Sequence, residues 1–306
     1  MNDLRLGLGL GLGLRLRHRV AGAALVASLG LPFVGYAAAP PATAPRAAAH
    51  APAFPLWSVY RHFLAGARYV DLTHAFGPDT PHWKGFGPMT VRTLYTIRKD
   101  GFHVDQYCHV GQWGTHVDAP AHFHHGLRTV DQIPVDQMLM PLVVIDVHQQ
   151  VAKDPDYAIT MGDVRAWEHR YGRIPPHAFV AMRTDWSKRW PSQTAMQNKD
   201  AHGVAHYPRW SLPVLKFLFT RRQVTAIGHE TTDTDGGLGA SKDDYSLESY
   251  VLGTNHYQIE VLAHLDRVPD AGALVMVSFP KPEHGTGFPA RVVAIVPRND
   301  TGAGAR

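Results

Sequence analysis

Three short apolar runs constrain the fold of this chain more than any other feature: Leu142–Val147 (LVVIDV), Phe179–Arg183 (FVAMR) and Leu274–Phe279 (LVMVSF). Each is ~5–6 residues long and apolar almost throughout. A surface helix would interrupt such a run with a polar stripe, and a half-solvated strand would alternate. These runs therefore predict strands buried on both faces. Tyr69–Thr73, Met89–Tyr95, Val224–Gly228 and Arg291–Val296 read as further strands. Two helices fall between strands. Asp163 is placed to cap one that carries Val164, Trp167 and Tyr171 on a single stripe and closes at Gly172. Ser211 is placed to cap the other, with Pro213 in its first turn, Val214, Phe217 and Leu218 on its apolar side, and Arg221 and Arg222 at its negative end. Ser58–Leu64 reads as a short helix, and 231–246 (TTDTDGGLGASKDDYS) as a long polar loop. The expected class is α/β, strand-rich with few helices.

The first 39 residues differ from the rest. Residues 1–20 are Leu/Gly-rich with four arginines, an apolar run extends from Ala21 to Val34, and small residues follow at 37–39. That order is the order of a secretory signal peptide. The apolar run falls short of the ~20 residues a bilayer span needs, so no stable membrane insertion is expected after cleavage. Residues 40–53 form a Pro/Ala-rich lead-in, 54–298 the working domain, and 299–306 a disordered tail. The chain is thus expected to be exported, periplasmic or secreted. Its net charge of +4 suggests nucleic acid only until the charges are located. Arg5, Arg15, Arg17 and Arg19 against Asp3 place most of it in the leader, which leaves no phosphate-binding footprint. A single cysteine, Cys108, excludes an intrachain disulfide and any cysteine-based metal cluster.

The chemistry concentrates in 109–125 (HVGQWGTHVDAPAHFHH). His116 and Asp118 are two apart, so an extended strand points both to one face, and Gln112 shares it by the same count. His122 follows beyond Pro120, which breaks the strand. Imidazole, carboxylate and amide oxygen form a mixed nitrogen–oxygen set suited to Zn²⁺ or Mn²⁺ rather than a soft ion.

The string Gly114-Thr115-His116-Val117-Asp118-Ala119-Pro120-Ala121-His122-Phe123 resembles the signature of the metal-dependent cyclase family, which includes bacterial kynurenine formamidases and isatin hydrolases. Other blocks follow in the family's order. Asp71–His74 with Thr80–Trp83 resembles its opening strand and turn. Leu142–Val147 resembles its VVIDV strand, and Arg183–Trp186 its RTGW element, with Asp185 where glycine is usual. Gly228–Asp235, which contains His229, resembles its GIDTxSxD loop, and Gln258-Ile259-Glu260 opens a segment like its last motif. The resemblance implies a swivelling β/β/α architecture, a catalytic role for His122, and metal ligation by His116, Asp118 and Glu260. It also implies a homo-oligomer, dimer or tetramer, because residues near the signature line a neighbouring subunit's pocket in this family. Two positions depart from the two-metal members. Gln112 stands where they have a histidine four before the signature histidine, and Glu248 stands where they have one twelve before the late glutamate. Both replacements shift the donor set towards oxygen and the preference towards Mn²⁺, with Zn²⁺ still open. One ion, or two bridged by Asp118 and Glu260, are both compatible. His256, four before Glu260, is an extra candidate ligand or supports one that is.

These parts imply a small-molecule hydrolase. A bound ion lowers the pKa of water from 15.7 towards ~7. His122 exchanges the proton, since an imidazole titrates near ~6.5. Trp83, Trp113, Phe123 and Trp186 are candidates for an aromatic floor. The expected reaction is cleavage of an amide C–N bond in an N-formyl-arylamine or a cyclic amide. The alternatives are a lactone or cyclic-ester hydrolase with the same centre, and a non-catalytic periplasmic binder of metal or a small acid.

Overall fold

Strand β5 explains why its sequence is apolar on both sides. The computed structural model describes residues 54–298; the expected leader, lead-in and tail lie outside them. In it Leu142 and Val144 of β5 (Leu139–Asp146) enter one buried cluster, while Val143 and Ile145 enter another. Each such side chain contributes roughly 1.5–3 kcal/mol by leaving water.

The other strands are β1 (Arg68–Asp71), β2 (Thr90–Tyr95), β3 (Val104–Cys108), β4 (His116–Asp118), β6 (Phe179–Arg183), β7 (Ala226–His229), β8 (Tyr257–Glu260), β9 (Ala273–Ser278), β10 (Gly287–Pro289) and β11 (Arg291–Val296). Nine of them make one mixed sheet in the order β1-β11-β9-β5-β6-β7-β8-β4-β10; β2 and β3 pair separately as a hairpin. The centre, β5-β6-β7-β8, is parallel, and β9, β11, β1, β4 and β10 pair antiparallel around it. The sheet curls upon itself: Thr73, just after β1, bridges Leu262, just after β8. Val70 of β1, Val117 of β4, Ile259 of β8 and Val292 of β11 consequently meet in one interior cluster. Helices Met161–Tyr171, Leu212–Arg221 and Ser246–Gly253 cover the opposite face of the parallel strands. The result is a mixed α/β fold with a curled sheet and few helices, layered sheet, sheet, helix.

Several local expectations are corrected by side-chain chemistry. Asp163 is the third helical residue and Thr160 the cap. The two form a reciprocal box, with Asp163 N–H donating to Thr160 Oγ1 at 3.3 Å and Thr160 N–H to Asp163 Oδ2 at 2.8 Å. Ser211 holds the cap position, but its hydroxyl donates to the Ile159 carbonyl at 2.5 Å instead of capping. The 231–246 stretch is not a solvated loop. It buries Thr231 and Asp233–Gly237 and contains the helical turn Gly236–Ala240. Strand β9, expected to be buried on both faces, is covered on one: Ala273, Val275 and Val277 are buried, while Met276 and Ser278 are exposed. Strands β3, β8 and β10 mix polar and apolar residues and so carry no strand signal of their own. Asp185, at the glycine position of its motif, adopts φ +59°, where an L-residue is strained. Its carboxylate offsets that by accepting from Arg183 Nε at 2.9 Å and Lys188 Nζ at 2.7 Å.

Candidate metal centre and substrate cavity

The centre lies where β7 and β8 end and β4 runs back beside them. In the β4–β8 register His116 faces Glu260 and Asp118 faces Gln258. Directly opposed residues share a face of the sheet, so all four side chains project together. Gly114 precedes them at φ +62°, and its carbonyl accepts from His116 Nδ1 at 2.8 Å. That bond fixes the ring's orientation and turns Nε2 towards the carboxylates, where it is the atom available to an ion. His116 Nε2 lies 3.5 Å from Asp118 Oδ1 and 3.6 Å from Glu260 Oε2.

Two sets of ligating side chains result. His116, Asp118 and Glu260 present atoms all within 4.8 Å of one another, and so do Asp118, His122 and Glu248. Asp118 is the residue common to both sets, whereas the sequence suggested sharing by Asp118 and Glu260. His122, read as the proton-transfer residue, also stands among these donor atoms.

The electrostatics call for a cation. Among the described residues no lysine or arginine lines this cavity. Burial, followed by the charges of Asp118 and Asp233, pushes the carboxyl of Glu248 well above the usual range; burial, Asp118 and Glu248 do the same to Glu260. Burial raises Asp233 to about 7. For Asp118 burial would act likewise, but His116, two residues before it on the same face of β4, outweighs it and holds that carboxyl low. Asp118 Oδ1 is buried without a hydrogen-bond partner. Crowded carboxylates, one imidazole nitrogen aimed at them and an orphaned carboxylate oxygen fit a divalent ion.

A shell of hydrogen bonds aims the donors. Gln258 Nε2 donates to Asp118 Oδ2 at 3.2 Å and to Glu260 Oε1 at 3.0 Å, while Thr234 Oγ1 donates to Gln258 Oε1 at 2.7 Å. His229, fully buried, places Nε2 3.3 Å from Glu260 Oε1 and accepts from Trp210 Nε1 at 3.2 Å; burial lowers its pKa to about 3. Asp235 accepts from the backbone N–H of Leu247 at 2.6 Å and of Glu248 at 2.9 Å, which anchors the helix that carries Glu248. His124 ties the turn after β4 to the same helix through the Ser249 carbonyl at 2.8 Å.

The other sequence candidates are placed as follows. Gln112 reaches the cavity from a bend before the strand, which starts only at His116 after Gly114 takes up a left-handed conformation. Its amide lies 3.3 Å from His122 Nδ1, in space that a Cβ on Gly287 would fill at 2.3 Å. Trp113 and Trp186 do not line the cavity. Trp113 is fully buried with His82 stacked on it, and Trp186 packs in the helix-side core with its Nε1 donating to Met196 O at 2.9 Å. His256 lies outside both ligating sets and stacks on Phe219 at 3.9 Å, because β8 begins only after it. The aromatic lining comes from Trp83, Phe86, Phe123 and Tyr245, around a cavity of about 430 Å³. Sequence reasoning missed Gln258 and Asp235 as supports. The alternation that pairs His116 with Asp118 also pairs Gln258 with Glu260.

Comparison with known proteins agrees with this geometry. Residues 70–236 match the family model described as "Putative cyclase". The chain is 30% identical over 243 residues to the isatin hydrolase of Roseibium aggregatum, covering 75% of this chain and 92% of that protein. Among solved structures it is similar to isatin hydrolase A of Ralstonia solanacearum, with 31% identity, TM-score 0.72, 82% of this chain and 100% of that one covered. It is likewise similar to isatin hydrolase A of Labrenzia aggregata bound to benzyl benzoate, with 32% identity, TM-score 0.71 and coverage of 79% and 97%. The chain belongs to the cyclase family. Membership, the hydrolase relatives and the buried His/Asp/Glu groups together support a metal-dependent hydrolase of C–N bonds.

Proposed function

We propose that this protein hydrolyses a carbon–nitrogen bond adjoining an aromatic ring, in a cyclic amide of the isatin kind or an N-formyl-arylamine. One observation carries the reading: His116, Asp118 and Glu260 converge on a cavity with aromatic walls that can hold a ring. His116 Nε2 and the carboxylates of Asp118 and Glu260 would hold one divalent ion, Mn²⁺ or Zn²⁺, and the Asp118–His122–Glu248 set accommodates a second. Such an ion, when bound, supplies a Lewis acid that makes water nucleophilic at neutral pH.

The chain's own residues do the rest. Trp83, Phe86 and Phe123 hold the ring and exclude bulk water. With Nδ1 beside the Gln112 amide, His122 Nε2 is the atom that exchanges a proton with the substrate. The water oxygen bonds to the carbonyl carbon, the C–N bond breaks, and the water proton ends on the released nitrogen. A relative is solved with the product analogue thioisatinate, which favours the cyclic amide, and another with an ester, benzyl benzoate, which makes a lactone the control substrate.

The signal-like leader supports export. The apolar hairpin β2–β3, with Val91, Leu94, Tyr95 and Tyr107 all exposed, supports self-association, since a lone hairpin is marginal in water.

The test is hydrolysis of isatin, N-formylkynurenine and an aryl lactone by manganese- and zinc-loaded protein. His122→Ala should retain the ion held by His116, Asp118 and Glu260 and lose roughly 10²–10⁴ in kcat. A protein indifferent to chelation would remove the metal centre, and equal, negligible turnover by wild type and variant would favour the binding reading.

A further inference from the structure

A second, smaller cavity of about 110 Å³ adjoins the main one, and His82, Trp83, Thr232 and Asp233 line both. The two differ in charge: Lys84 and Lys199 line only the smaller. Lys84 pairs with Asp243 at 2.6 Å, whereas Lys199 has no carboxylate partner among the described residues. Asp233, at the junction, already receives the hydroxyls of Tyr207 and Thr232.

The indole of Trp83 stands at that junction, fixed from several sides. Its Nε1 donates to Tyr245 Oη at 2.7 Å, and Phe86 lies 5.2 Å away. The ring folds back over Gly85, where any Cβ would fall 1.5 Å from the indole Cζ3. The chain on either side is fastened as well. Gln193 accepts from His82 N–H at 2.8 Å and donates to His82 O at 2.9 Å, and Lys84 Nζ donates to Ala240 O at 3.3 Å. A side chain held this way excludes groups instead of adapting to them.

We propose that Trp83 sets substrate size as a rigid partition between the ring-binding cavity and a cationic side chamber, and that removing the indole admits aromatic amides carrying an anionic substituent. This deepens the proposed function and rests on reading the main cavity as the substrate site. The chamber would take a carboxylate through Lys199.

The test uses manganese-loaded protein and two readouts. Calorimetry measures binding of isatinate, the ring-opened acid of isatin, and of its 5-, 6- and 7-carboxymethyl and carbamoylmethyl derivatives. Kinetics measures hydrolysis of the parent isatins. Wild type should favour the unsubstituted acid. Trp83→Ala should shift the affinity ratio towards at least one carboxymethyl acid by ~tenfold or more, the scale of a pocket gaining or losing a small group. Trp83→Phe, which restores a ring, should return the wild-type order. Adding Lys199→Ala to Trp83→Ala should remove the gain for the carboxylate and keep it for the neutral amide. An equal loss for every acid in Trp83→Ala, or equal binding of substituted and unsubstituted acids by wild type, overturns the partition. Size-ordered binding without turnover of isatin leaves the partition and removes the cyclic-amide hydrolase reading; turnover without size order does the reverse.

Discussion

Replacing Gln258 tests whether the carboxylates are aimed by protein or by the ion alone. Gln258 is fully buried, does not itself line the cavity, and gives one amide hydrogen each to Asp118 and Glu260. A hydrogen bond to a charged group contributes ~1.5–3 kcal/mol and one to a neutral group ~0.5–1.5; with Asp118 held low and Glu260 pushed well above the usual range, Gln258→Ala removes roughly 2–4.5 kcal/mol of gross interaction from the ion-free protein. It also strands the Thr234 hydroxyl that Gln258 Oε1 accepts from, at a cost of ~1–3 kcal/mol. A bound ion takes over most of the charge compensation. The remaining loss is orientational, and such supporting contacts contribute ~10–100-fold in metal affinity. The assay is competition between the protein and a chelator for Mn²⁺ and Zn²⁺, run on Gln258→Ala and on the near-isosteric Gln258→Leu. Both should bind ~10–100-fold more weakly, with fold and secondary structure kept. Affinity within ~twofold of wild type, a difference of about 0.4 kcal/mol, would refute the reasoning.

Other outcomes follow from the same coordinates. Free ion at ~100 times its dissociation constant should stabilise the fold by ~2.7 kcal/mol and raise Tm by roughly 5–10 °C over chelator-treated protein in a thermal scan; an unchanged Tm would remove the ion from the site. Gln112→His supplies an imidazole beside His122 and should tighten Zn²⁺ more than Mn²⁺ in the same competition assay. His74 and His256 are both lowered to about 4, chiefly by burial, so the unfolded chain takes up protons before the folded one does. Stability should therefore fall as pH drops from ~6.5 towards ~4, by about 2 kcal/mol per ring after allowing for partial exposure, and His256→Phe should flatten that limb in urea titrations. Gly228→Ala would drive a methyl to 2.5 Å from Phe179 Cζ and 2.7 Å from Leu262 Cδ1, costing ~1–3 kcal/mol in denaturant unfolding.

The sequence was most legible where physics acts locally. The runs at β5 and β6 are apolar because both faces are covered, and periodicity reports that directly; the equally apolar run at β9 overstates its burial, since Met276 stands on an open face. His116 and Asp118 were placed on one face by alternation alone. Less was legible where tertiary contacts decide. Gln112 follows the same count but arrives from a bend, since the strand starts only after one left-handed glycine. Trp113 and Trp186 carry the composition of a binding floor, yet burial depth, which no spacing encodes, assigns them to packing. His256 shares the parity of Glu260, but its strand begins one residue later and Phe219 claims the ring. Asp163 and Thr160 form a reciprocal box, and a cap sought only by residue type selects the wrong member.

Asp118 and Gln258 are 140 positions apart in the chain and face each other across two hydrogen-bonded strands. No short peptide of this protein contains the cage, so an unfolded chain offers the ion only scattered, weak contacts. Loading must wait until the last parallel strand and its antiparallel neighbour have zipped together. Occupancy is then governed by whichever ion is abundant where folding ends, and the growing chain exerts little choice of its own.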